Sequence, residues 1–168
     1  PDRETWLETT APRDIPAGFA GLVLKGREAG GFCGDLDGLS LLESCPNPEN
    51  VILDAGLGPN TASSAAALGA FGVLLSEQHL GCPEFSLSES MRQRLFKADD
   101  EVTHRVGAVR VANAATSPAL RTLNAGENPW VLSEKLWENG DLTQQIWFAG
   151  QGLALARELS QRFGTLQG

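Results

Sequence analysis

In the first half of the chain, apolar residues come in short unbroken runs rather than in long periodic stripes. Leu22-Val23-Leu24, Val51-Ile52-Leu53 and Phe71-Gly72-Val73-Leu74-Leu75 are such runs, each flanked by glycine or polar residues. Runs of this length with branched side chains predict buried strands over Phe19–Leu24, Val51–Asp54 and Phe71–Leu75. The first leads into a glycine-rich loop over residues 25–38. Leu39–Ser44 then predicts a short helix, ended by Pro46 and Pro48. Thr61–Leu68 predicts a helix of small residues that stops at Gly69. A strand, a glycine turn, a helix and a second strand make a parallel βα unit. Residues 51–75 hold one in a compact crossover.

The pattern changes further along. Ser86–Phe96 predicts a helix capped by Ser86 or Ser88, with Leu87, Met91 and Leu95 on one face. Beyond Lys97, residues 98–101 predict an acidic turn, Val106–Val111 predicts one extra strand, and a long loop is expected to hold Pro118 and Pro129. Trp130–Glu138 predicts a short helix. Leu142, Ile146, Ala149, Leu153, Ala156, Leu159 and Phe163 are spaced by three and four, which predicts a long helix over 142–163. Gly150 and Gly152 weaken its middle by about 1 kcal/mol each and permit close packing against another element. Residues 1–18, with Pro12 and Pro16, predict a linker or the end of a preceding unit. The expected fold is α/β, a partial TIM-type (β/α) barrel over residues 19–97. An α-rich C-terminal tail over residues 98–168 packs on it. A complete barrel of this type takes about 250 residues, and this sequence has 168.

The net charge of −8 and the lack of a basic run argue against nucleic acid or an anionic membrane as partner. No apolar run approaches the roughly 20 residues of a membrane span. Cys33, Cys45 and Cys82 are an odd count without a CxxC pair, so reduced thiols in a cytoplasmic setting are expected. His79 and His104 lie far apart, and no metal site is expected.

Ligand sites of βα barrels lie at the turns that follow the strands. In Asp54-Ala55-Gly56-Leu57-Gly58-Pro59-Asn60-Thr61, the glycines allow a sharp turn and close backbone approach. The following helix start suits a phosphate. The alternative is that Gly56 and Gly58 only shorten a connection. Lys25, at a strand end, either touches a phosphate or pairs with Glu28. Glu28 and Asp35 form a candidate carboxylate pair, or are simply solvated. Cys33 either faces a ligand or is an inert buried thiol. His79 either contacts substrate or packs. Trp130, Trp137 and Trp147 pack the tail or offer a docking surface, and Trp6 stands apart from them.

Taken in order, Lys25-Gly26-Arg27-Glu28-Ala29-Gly30-Gly31, Asp54-Ala55-Gly56-Leu57-Gly58 and Gly69-Ala70-Phe71-Gly72-Val73-Leu74-Leu75 resemble the C-terminal half of nitronate monooxygenase (2-nitropropane dioxygenase) flavin barrels. With Gln78-His79-Leu80, the Met91–Leu95 helix and the ending Leu155–Thr165, they are most similar to domains embedded in bacterial polyketide and polyunsaturated-fatty-acid synthases. The resemblance covers roughly residues 20–165. It implies an FMN site built from Lys25, Gly30, Gly31, Gly56, Gly58 and Ser76. In synthase-borne relatives it implies enoyl reduction of a thioester-bound acyl chain. The implied partners are neighbouring synthase domains, a second chain completing the barrel, and an acyl carrier protein. The sequence departs from the pattern at three points, one being that the N-terminal half of the barrel, with its early strands, is absent from it. Phe32 stands where free-standing enzymes carry a histidine, and Ser76-Glu77 stands where they carry Gly-Thr at the phosphate. No catalytic residue is therefore assigned. The expectation is a degenerate, structural portion of a synthase, with FMN or no cofactor as the two alternatives for the isolated chain. The competing expectation is an active flavin half whose missing barrel half comes from elsewhere.

Overall fold

The computed structural model describes residues 3–97, 103–112, 118–139 and 144–164. Seven strands are present among them: β1 (Trp6–Thr9), β2 (Gly21–Lys25), β3 (Gly31–Phe32), β4 (Val51–Asp54), β5 (Gly72–Val73), β6 (Thr103–Val106) and β7 (Val109–Ala112). The described α-helices are α1 (Gly38–Glu43), α2 (Ala62–Ala67), α3 (Glu89–Phe96), α4 (Pro118–Asn124), α5 (Pro129–Glu138) and α6 (Ala156–Phe163). One sheet is parallel throughout, in the order β1-β2-β4-β5, and a second is antiparallel, in the order β3-β7-β6. The architecture is a partial TIM-type (β/α) barrel followed by an α-rich tail.

Side chains alternate between the faces of a strand, and the parallel register extends that alternation across the sheet. Leu22 lies opposite Val51, and Leu24 opposite Leu53. These four point to the side of α1 and α2, where they pack with Leu41, Leu42, Cys45 and Ala65 and are almost completely buried. Each such leucine contributes about 1.5–3 kcal/mol by leaving water. The opposite face carries Trp6, Glu8, Gly21, Val23, Lys25, Ile52, Asp54 and Leu74. Gly21 is required there, since a Cβ would run into the ring of Trp6 and the carbonyl of Asn50. Trp6 then reaches Phe71, with ring centroids 5.2 Å apart.

The helix starts follow ordinary capping chemistry. Asp37 Oδ1 accepts from Ser40 N (2.9 Å) at α1, Ser88 Oγ from Met91 N (3.3 Å) at α3, and Asn128 Oδ1 from Trp130 N (3.0 Å) at α5.

Three expectations are corrected, and one stretch left open is resolved into a strand. Residues 6–9, within the stretch expected to be a linker or the end of a preceding unit, form β1 and pair in parallel with Gly21–Leu24 of β2. The extra strand over 106–111 is a hairpin, with Val106 opposite Val109. Gly107 makes its turn at φ 60°, the glycine-first pattern of a tight two-residue turn. The long loop contains α4, whose Ala119 and Leu123 pack with Val109, Val111, Leu132, Leu136 and Ile146. The long helix over 142–163 is only α6 and a preceding 3-10 turn over Gln151–Leu155. Upstream, Trp147 is extended and bonds to Ala112 in both directions. The apolar spacing marked burial rightly at Ile146, Ala149, Leu153, Ala156 and Leu159, which are buried, but not at Phe163, which is exposed. It misjudged the backbone, because Gly150 and Gly152 give their N–H groups other work. The acidic turn over 98–101 and Leu142 lie outside the described residues.

Leu53→Ala is expected to lower stability by about 2–5 kcal/mol, because Leu53 is fully buried on the helix side. Leu74→Ala, on the half-exposed opposite face, is expected to cost less than about 1 kcal/mol. Urea denaturation of the two variants checks the difference.

Candidate functional site

At the C-terminal ends of β2, β4 and β5, polar side chains converge. Lys25 and Asp54 are register partners on adjacent strands, so they share a face. Lys25 Nζ lies 3.4 Å from Asp54 Oδ2 and 3.7 Å from Glu8 Oε1. Ser76 Oγ donates to Asp54 Oδ1 at 2.8 Å. Asp54 is buried, and desolvation raises its pKa against the opposing effects of Ser76 and Lys25.

Glu77 follows at once in sequence and is 4% exposed. Burial, and secondarily the charge of Asp54, push its pKa to about 7. Backbone N–H groups of Gly150 and Gly152 act in the opposite direction, with Gly150 N donating to Glu77 Oε1 at 3.1 Å. The carboxyl thus takes the backbone donors that an anionic ligand would seek.

Those donors belong to a strap, residues 147–155, that crosses the turn face. Gln151 N donates to Glu28 O at 2.9 Å. A Cβ on Gly30 would lie 2.7 Å from Gly150 N, and one on Gly56 would lie 2.8 Å from Gly152 N. A Cβ on Gly58 would meet Leu155 Cδ1 at 2.8 Å. Gly56 turns at φ 62°, a conformation L-residues rarely adopt. The glycines therefore do permit close approach, and what approaches is the protein's own backbone at Gly30 and Gly56 and the Leu155 side chain at Gly58. Gln78 Nε2 fixes the turn by donating to Leu57 O at 3.0 Å.

The structure brings Lys25 and Ser76 together on Asp54, and sets Gly30, Gly56 and Gly58 under the strap. Gly31 belongs to β3, opposite Arg110 in the other sheet. Lys25 does not pair with Glu28; it pairs with Asp54 and Glu8. Nor do Glu28 and Asp35 form a pair. Glu28 Oε2 accepts from Gly38 N at 3.1 Å, and Asp35 pairs with Arg105. Cys33, Cys45 and Cys82 are buried free thiols. His79 packs on Phe85, with centroids 4.6 Å apart. Trp130 stacks on Phe148 at 3.8 Å and lies near Phe32 at 5.7 Å. Glu8 and the donor role of Gly150 escaped sequence reasoning. The Trp6-Leu7-Glu8-Thr9 alternation was a strand signal for the first, but it was short and followed by prolines.

A flavin phosphate does not fit this arrangement. Lys25 and Ser76 are spent on Asp54, Gly30 and Gly56 are covered, and a buried carboxyl holds the nearby amides. An open cleft of about 310 Å³ does run beside Gly56–Thr61, and Gln151, Leu155 and Glu158 form its other wall. Among the described residues its one charged lining side chain, Glu158, is an acid, and Gly58 N is already bonded to Thr61 Oγ1 at 3.0 Å.

No family model matches the sequence, and no curated protein is significantly similar to it. Solved structures do match. A methionine-to-alanine variant of FabK from Thermotoga maritima superposes with a TM-score of 0.66 at 25% identity, over 83% of this chain and 47% of that one. FabK itself from the same organism gives 0.64 at 24% identity, over 83% and 49%. Nitroalkane oxidase from Streptomyces ansochromogenes gives 0.66 at 21% identity, over 92% and 53%. The fold is nitronate monooxygenase-like. The chain spans about half the length of the structures it matches.

The folded-state pKa of Glu77, about 7, lies above its ordinary 4.5, so the folded state holds this proton more tightly than the unfolded state. Its stabilisation, about 3 kcal/mol, is fully present below pH 4.5 and is lost as pH rises through 7. Glu77→Gln keeps a neutral acceptor for Gly150 N and is expected to flatten that decline. Asp54, also raised by burial, keeps its own share in both proteins. Urea midpoints between pH 4.5 and 8 check this.

Proposed function

We propose that this chain is a portion of a multidomain polyketide or fatty-acid synthase, related to FMN-dependent nitronate monooxygenase and enoyl reductase barrels. On its own it serves a structural role. The observation that carries this reading is the strap over residues 147–155, clasped by Glu77, on the turns where a barrel of this kind holds its ligand. Phe32 agrees with it. This residue is half exposed against Trp130 and supplies neither a proton donor nor an acceptor where free-standing relatives carry histidine.

The chain's own residues then hold structure rather than perform chemistry. Lys25 neutralises Asp54, Ser76 orients it, and Glu77 fastens the tail. Neighbouring synthase domains and an acyl carrier protein are the partners this setting supplies. The competing reading is an active half of an FMN-dependent enoyl reductase or oxygenase. The open cleft beside Gly56–Thr61 favours it, and the acid Glu158 in the same cleft opposes it. FMN bound in such a half would supply hydride transfer to an acyl chain.

Titration of the purified chain with FMN, followed by flavin fluorescence and calorimetry, separates the two. No saturable binding up to millimolar FMN is expected. Micromolar binding would overturn the structural reading. Phe32→His is expected to create no flavin-dependent turnover, and turnover in that variant would count equally against it.

A further inference from the structure

Leu87, Met91 and Leu95 form a stripe along α3 and the residues just before it, of the kind that ordinarily packs flat on a core. Leu95 does so, buried with Ala112, Ala149, Leu153 and Ala156. Leu87 and Met91 stay partly exposed. With Leu80, Leu95, Trp137 and Trp147 they line an open cleft of about 180 Å³. None of the six belongs to the four-stranded sheet or to the glycine turns at its strand ends. The cleft therefore shares no wall with the sheet's inner face, nor with the cleft beside Gly56–Thr61.

All six lining side chains are aliphatic, thioether or aromatic, and none brings a charge to what enters. A dry apolar cavity of about 150 Å³ takes benzene, so this one has room for about six or seven carbon atoms. A stable protein partner would engage about 20–30 residues, whereas six line this cleft, which is the scale of a small molecule. At Trp147 the character changes. The Arg94 guanidinium lies over the Trp147 ring, 5.1 Å from its centroid, and the Trp147 indole N–H is buried without a hydrogen-bond partner. Guanidinium carries several donors in a fixed fork, so Arg94 accommodates a further acceptor beside those it already has. An apolar slot that ends at a cation and an unsatisfied donor fits an amphiphile with an anionic head.

We propose that this cleft binds an unbranched fatty-acid carboxylate of about seven carbons, with its alkyl chain against Leu80, Leu87, Met91 and Leu95 and its carboxylate at Arg94 beside Trp147. Met91 suits the alkyl part, because a flexible thioether side chain adapts to its guest. The carboxylate gives Arg94 a charged acceptor at the one end of the cleft where a donor is otherwise left without a partner.

Titration of the full chain with sodium heptanoate, below the concentration at which it forms micelles, tests the site by calorimetry and tryptophan fluorescence. Saturable one-to-one binding with a dissociation constant of about 1 mM or tighter is expected. Pentanoate, two methylenes shorter, is expected to bind about tenfold more weakly. Arg94→Gln is expected to weaken heptanoate about fivefold or more and to leave the neutral heptanol within about twofold. Met91→Trp fills the cleft and is expected to abolish binding of both while the urea midpoint stays near that of the wild type. Leu74→Asp, on the open face of the sheet, is expected to change neither. Lack of saturable heptanoate binding overturns the proposal. So does binding indifferent to Met91→Trp, equal loss of heptanoate and heptanol in Arg94→Gln, or loss in Leu74→Asp, which would put the guest on the sheet instead. Should Met91→Trp fail to fold, the split between heptanoate and heptanol in Arg94→Gln still decides.

Discussion

The structure depends on a single geometric constraint, the two-residue alternation of side chains in a parallel sheet whose four strands are in register. Because Leu22 faces Val51 and Leu24 faces Leu53, every large aliphatic side chain on one side meets α1 and α2. The same register commits Glu8, Lys25 and Asp54 to the other side, where Ser76 joins them through its hydrogen bond to Asp54, so the polar network at the strand ends is a by-product of making the core. A slip of one residue in any strand would exchange the two sets. Lys25 and Asp54 would then be buried against helices and the leucines left facing solvent.

That constraint leaves two surfaces to complete, and they are completed differently. The ends of the strands are closed from within. Glycines at 30, 56, 150 and 152 let two backbone segments approach to distances no side chain would allow. Glu77 then supplies an internal acceptor for the amides of the incoming strap. The interior face of the sheet is not closed among the described residues. Its aromatic residues, Trp6 and Phe71, shelter each other, but Leu74 and Phe71 stay largely open to water.

Electrostatics holds the filled end together and makes it sensitive to protons. Three acids, Glu8, Asp54 and Glu77, surround one lysine, and burial raises the two inner carboxyls. Around neutral pH, Glu77 sits near its own titration point. Its neutral form accepts from Gly150 without adding a second charge beside Asp54, whereas its ionised form binds the amides more strongly but meets that charge.

The sequence alone determined the strands at Val51–Asp54 and near Phe19–Leu24, the crossover helix, the capped helix ending at Phe96 and the α/β class. Each of these is decided within a few residues, by apolar runs, glycine turns and capping side chains. It also marked Gly150 and Gly152 as places of close packing, since only a near neighbour makes such residues worth their cost in a buried segment. Tertiary structure decided the rest. β1 is a strand only because β2 offers it an edge. The predicted long helix became a strap because Ala112, Glu28 and Glu77 outbid its internal hydrogen bonds for the same N–H and C=O groups. Lys25 chose Asp54 over Glu28 because strand register, not sequence spacing, fixes which side chains share a face.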